Sequence, residues 1–190
     1  MGKILESIQN TVIAGFVLML VLLALVGQAT GSYDIGYILR YIHVLSGVMW
    51  IGLLWYFNFV QIPTMPSIPD EMKPAIGKHI APKALWWFRW GAMFTLISGL
   101  AVAHMSGYMV DALTVAPGTR LIGIGMWMAI IMWFNVWFVI WPNQKIALGI
   151  VEADADAKPA AARKAMLFSR TNTLLSIPML YCMVGAEMGM

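Results

Sequence analysis

The chain has 190 residues, of which 61% are hydrophobic and 11% charged, with a formal net charge of +3. A soluble domain carries about a quarter charged residues, so this composition excludes a water-soluble globule and indicates an integral membrane protein. The basic residues do not gather on one face, which argues against nucleic acid and leaves the lipid bilayer as the first partner.

Five segments are apolar over the roughly 20 helical residues that a hydrocarbon core requires: 8–28, 36–60, 84–108, 120–141 and 167–188. Nothing between them suffices for a soluble domain, so residues 1–190 are expected to form a single transmembrane domain. The expected fold class is all-α, with five transmembrane helices. The second to fifth form a four-helix bundle, and the first is an N-terminal anchor helix. The first segment follows Lys3 and ends near Gly27-Gln28-Ala29, which also resembles a signal peptide with a cleavage site. Its length favours a retained anchor.

The second segment runs into Pro63, Pro66, Pro69, Pro74 and Pro82. Ile62 to Pro69 is expected to be extended, because each proline fixes φ and removes a donor. It reads as a stiff connector rather than a ligand for a partner domain. Pro142 is expected to end the fourth helix after Trp141, and Pro178 to kink the fifth. Residues 150–164 alternate Ala with charged residues and read as a short surface helix. Cys182, the single cysteine, reads as packing inside the fifth segment. Trp86, Trp87, Trp90, Trp137 and Trp141 lie near span ends, as in an interfacial aromatic belt.

Cations mark one side of the membrane. Lys3 precedes the first segment, Lys73, Lys78 and Lys83 lie between the second and third, and Lys145, Lys158, Arg163 and Lys164 between the fourth and fifth. The opposite connections hold Asp34, Asp111 and Arg120. By the positive-inside rule, the chain belongs in a bacterial inner membrane with its N-terminus cytoplasmic and its C-terminus periplasmic.

Polar side chains at membrane depth are expensive and point to function. Counting along the helices puts Arg40, His43, His104, Arg120 and Glu187 in one outer layer. Two histidines at matching depth on antiparallel helices suit the axial ligation of haem b. Gly47 would let the macrocycle approach the backbone, and Arg40 and Arg120 would hold its propionates. Met105, Met109, Met126, Met188 and Met190 near the same face make Cu(I) a rival cofactor. A second, inner layer holds Asn58, Arg89, Asn135, Arg170 and Asn172. Snorkelling and interhelical hydrogen bonds explain each singly. Together, Arg89, Asn135, Arg170 and Asn172 are candidates for a pocket that takes a planar, hydrogen-bonding or anionic substrate, or a quinone.

The sequence Arg40-Tyr41-Ile42-His43, followed by Trp50-Ile51-Gly52, resembles the membrane domain of the bacterial cytochrome-c-linked urate oxidases. So do Ala84 to Ala92 (Ala-Leu-Trp-Trp-Phe-Arg-Trp-Gly-Ala), Asn135 to Lys145, and Ser169-Arg170-Thr171-Asn172 with Ser176-Ile177-Pro178-Met179. The likeness runs from about residue 36 to the C-terminus, with its motifs in family order. A weaker likeness through His43 and Trp50-Ile51-Gly52 reaches the copper-resistance D and haem-binding protoporphyrinogen oxidase membrane proteins, and implies a four-helix, His-ligated haem b architecture. The urate enzymes continue into a periplasmic cytochrome c domain, which these residues lack. Where their last matching helix is expected to carry a His, this chain has Glu187, a less favoured ligand beside His104. The expectation is a haem-b-linked electron-transfer protein, or a subunit of a larger membrane redox complex, with a redox partner such as a cytochrome c. The alternatives are oxidation of urate or a related purine, with electrons passed to a separate cytochrome c, and a non-redox accessory or copper-handling subunit.

Overall fold

The computed structural model describes residues 2–30, 34–154 and 156–187, without the side chains of Lys3, residues 28–30 and Glu187. After one turn at Gly2–Leu5, it forms α1 (Ile8–Thr30), α2 (Ile35–Ser67) and α3 (Lys73–Met105). The short α4 (Met109–Leu113) follows, then α5 (Arg120–Ala147) and α6 (Ala157–Glu187). No strand occurs among the described residues. Four of the helices, α1, α2, α3 and α5, are long and apolar enough to cross a membrane. In α6 the first half carries Lys158, Arg163, Lys164 and Arg170, and the apolar stretch begins only beyond them.

The bundle is made by α2 packed on α3 and by α5 packed on α6, the two pairs meeting through α3–α5 and α2–α6 contacts. Apolar residues at helical spacing supply the core: Trp50, Leu54 and Phe57 from α2, Leu85, Phe88 and Ala92 from α3, and Met132, Val136 and Ile140 from α5. Phe57 meets Phe88 edge-on at 5.7 Å. Small residues set the close approaches, as expected where lipid removes most of the hydrophobic drive between helices. A Cβ on Gly91 would stand 3.2 Å from the Trp50 backbone nitrogen, and one on Gly125 only 2.9 Å from the Cβ of Cys182. Cys182 is buried and unpaired with any sulfur, as its expected packing role requires. Almost all of α1 is exposed, so it lies outside the bundle core.

Prolines act differently from the sequence expectation. Ile62–Thr64 is α-helical and Met65–Ser67 is a 3-10 turn. The run is therefore helical and not extended, and only Ile68, before Pro69, adopts a β conformation. Pro142 does not end its helix either, for α5 continues to Ala147. The reason is a shared device. A proline ring clashes with the carbonyl four residues back, and a π turn relieves the clash by shifting the bonding to i→i−5. The Ile62 N–H thus donates to Phe57 O before Pro63, Ala81 to Ile76 O before Pro82, and Trp141 to Val136 O before Pro142. Of residues 150–164, read as a short surface helix, 150–154 are not helical and 157–164 are instead the first turns of α6. Pro178 lies inside α6.

Candidate functional site

Asp34 caps α2 by accepting a hydrogen bond from the Gly36 N–H at 2.7 Å, which fixes where the helix starts. His43 follows nine residues after Asp34 in the chain and turns toward α3. There Gly91, Thr95, Ser98 and Gly99 form a stripe of small side chains at spacings of three and four. A Cβ on Gly99 would lie 2.7 Å from His43 Cε1 and 2.9 Å from its Nδ1, so the imidazole occupies room that only glycine leaves. His43 Nδ1 stands 2.9 Å from the carbonyl oxygen of Thr95, and Ser98 Oγ is 3.5 Å away. A carbonyl only accepts, so Nδ1 carries the proton in this contact. A backbone carbonyl fixing the tautomer is the usual support of a metal-binding histidine.

This imidazole borders a half-open cavity of about 680 Å³ lined by residues of α2, α3, α5 and α6. The cavity lies within the range of small-molecule and cofactor sites, roughly 300–1,000 Å³. Arg40 and Gly47, one turn to either side of His43, line it as the helical spacing predicts. Tyr108, Met126, Met179 and Met183 line other walls. Trp50 also lines it, and its buried indole N–H has no acceptor among the described residues. Arg40, Val44 and Val48 are exposed along one rim. His104, one residue before the end of α3, is exposed and does not line the cavity; neither does Arg120, the first residue of α5. The Glu187 side chain, Met188 and Met190 lie outside the described residues.

The inner layer separates into different environments. Asn172 is fully buried; it accepts from Asn135 Nδ2 at 2.8 Å and donates to the Met132 carbonyl at 2.9 Å. These two asparagines therefore staple α6 to α5. Arg170 is exposed on the opposite side of α6. The guanidinium of Arg89 lies over the ring of Trp141, 3.2 Å from its centroid, with Lys145 Nζ 5.8 Å from the same centroid. Asn58, in the π turn of α2, donates to Ser169 Oγ at 2.8 Å. Beside that bond is a smaller cavity of about 160 Å³, bordered by Phe57, Gln61, Gln144 and Ser169. Arg89, Asn135, Arg170 and Asn172 line neither cavity.

Thr95, Ser98 and Gly99 were not singled out from the sequence, although their spacing opposite His43 carries the signal. Gln61 is a further addition that spacing alone does not reveal, and Trp50, quoted from the sequence only within the Trp50-Ile51-Gly52 motif, proves to line the larger cavity.

Residues 108–190 match the urate oxidase N-terminal family. No curated protein and no solved structure matches the chain. The matched region spans α4, α5 and α6. It contains the Asn135–Asn172 staple, Trp141, and Tyr108, Met126, Met179 and Met183 of the larger cavity. The urate-oxidase-like motifs around His43 and Arg89 precede it.

Proposed function

We propose that the protein is a membrane redox subunit of the urate-oxidase type that holds haem b in the cavity beside His43. Five spans carry it through the inner membrane, α6 being the fifth, with a cytoplasmic N-terminus and a periplasmic C-terminus. The observation that carries this reading is His43 itself, oriented through Nδ1 by the Thr95 carbonyl at the wall of a cavity of about 680 Å³. The surrounding residues fit a flat, largely apolar group with acidic arms. The walls are mostly aliphatic and thioether side chains, and Arg40 stands at the exposed rim where propionates would emerge. His43 would hold the iron, and Met126, Met179 and Met183 are the soft donors bordering the same space. Haem b would supply one-electron transfer to a membrane or periplasmic partner such as a cytochrome c.

The test is an absorption spectrum of the purified protein, before and after addition of haemin. A Soret band with sharp reduced α and β bands in the wild type, lost in His43→Ala, is the expected result. A protein that stays colourless with haemin ends the reading.

The urate oxidase N-terminal match over residues 108–190 favours a second reading. In it the protein oxidises urate or a related purine and hands the electrons to a separate cytochrome c. Reduction of added cytochrome c by urate, dependent on the protein, distinguishes it from electron transfer alone.

A further inference from the structure

Five buried donor nitrogens have no acceptor among the described residues: Arg89 Nε and Nη1, and the indole nitrogens of Trp50, Trp133 and Trp137; the buried acceptors Asn58 Oδ1 and Gln61 Oε1 are likewise unpartnered. Trp50 belongs to the cavity already described; Arg89 and Trp137 stand at the contact between α3 and α5. Neighbouring residues of α3 meet residues one turn apart on α5, Arg89 on Trp141 and Trp90 on Trp137, the latter pair with centroids 5.7 Å apart. Trp133 lies one further turn along the same face of α5. From Arg89 to Gly99, at His43, is ten residues, or about 15 Å of helix rise. The cavity wall on α3 begins nearer, at Thr95, six residues or about 9 Å from Arg89. None of Arg89, Trp137, Trp141 and Lys145 borders that cavity, and the junction does not depend on the haem reading.

Stacking on Trp141 fixes the guanidinium but satisfies none of its N–H groups, because a ring face draws the cation as a whole. A fully snorkelling arginine would carry its whole head into water, whereas Arg89 is half-buried with Nε and Nη1 covered. A buried donor without an acceptor is costly, and a charged one more so. The unpartnered nitrogens of Arg89 and Trp137 are all donors, and Lys145 adds a second positive charge on the same indole. Its chemical complement is therefore an acceptor-rich anion.

We propose that Arg89, Trp137 and Trp141, with Lys145 beside them, form a binding site for an anion that presents oxygen acceptors. Trp141 positions the guanidinium, Arg89 neutralises and hydrogen-bonds the anion, and Trp137 adds an indole N–H. A small soluble anion and the phosphate of a lipid headgroup share this chemistry, and the experiment separates them.

The full-length protein is reconstituted into phosphatidylcholine nanodiscs and titrated calorimetrically with urate and with inorganic phosphate. In parallel, native mass spectrometry follows retention of phosphatidylglycerol through detergent exchange. Arg89→Lys keeps the charge but loses the planar array of donors, and Trp137→Phe removes one N–H while keeping a ring. Saturable binding of urate or phosphate by the wild type identifies a soluble anion; retained phosphatidylglycerol identifies a headgroup. Either should weaken about tenfold or more in Arg89→Lys and severalfold in Trp137→Phe, from the strength of hydrogen bonds to charged groups. The proposal is overturned if none of the three probes binds the wild type, a cluster served by water alone. It is equally overturned if both variants bind as the wild type does. Where Arg89→Lys fails to fold, Trp137→Phe decides by itself, unchanged binding counting against the site.

Discussion

Replacing Asn172 by alanine tests whether the inner asparagines are a structural staple. The side chain is 0% exposed and makes both of its bonds to α5, to Asn135 at 2.8 Å and to the Met132 carbonyl at 2.9 Å. Interhelical hydrogen bonds in membrane proteins contribute about 0.6 kcal/mol on average and at most about 1.7. Truncation also leaves the Asn135 amide buried without its acceptor, at about 1–3 kcal/mol. The expected loss is about 2–4 kcal/mol, which is roughly a 30- to 700-fold change in the folding equilibrium. The assay is reversible unfolding in mixed micelles titrated with a denaturing detergent. Measuring Asn135→Ala and the double variant closes a thermodynamic cycle, with an expected coupling of about 0.6–1.7 kcal/mol. Additivity of the two single losses within about 0.3 kcal/mol would show that the amides do not hold each other, and the staple would be refuted.

The haem reading separates the two histidines: His43→Ala should abolish the haem spectrum, whereas His104→Ala, at an exposed position off the cavity, should leave its Soret band unchanged. Gly99→Ala puts a methyl within 3 Å of the His43 ring and should lower haemin affinity about tenfold or more in a titration, by breaking the bond to the Thr95 carbonyl. Gly123→Ala drives a Cβ into the backbone carbonyl of Ala112, which no side-chain rotation relieves. It should cost about 1–3 kcal/mol as overpacking does, read as a lower melting temperature, with the haem spectrum little altered.

The sequence pattern exposes the helical segments because a chain in lipid must satisfy every backbone group internally, and long apolar runs then have few alternatives. Segment ends were harder to read where prolines stand. A proline signals a lost hydrogen bond, but whether the chain then extends, stops or widens into a π turn depends on what the neighbouring helices offer. At Pro63 and Pro142 the turn that precedes each proline carries Asn58 and Asn135, both buried and bonded across to α6. Those cross-helix bonds favour continuing the helix through the proline, and no local rule contains them.

The candidate sites show a related difference between depth and direction. Counting residues at 1.5 Å each gives depth along a helix reliably, but the facing direction turns about 100° per residue. His104 stands five residues beyond Gly99, so it is rotated about 140° away from the side that meets His43. Arg170 precedes Asn172 by two residues and is rotated about 160° from the face that meets α5. Layers built from depth alone therefore combine residues that face one another with residues that face away. The direction is legible from a different pattern. Gly91, Thr95 and Gly99 recur every four residues and mark the face of α3 that another helix approaches closely, and His43 lies opposite that stripe. In a chain this apolar, hydrophobic periodicity identifies no inner face. The spacing of small residues does, and the chemistry of a polar side chain becomes interpretable once its angle to that stripe is known.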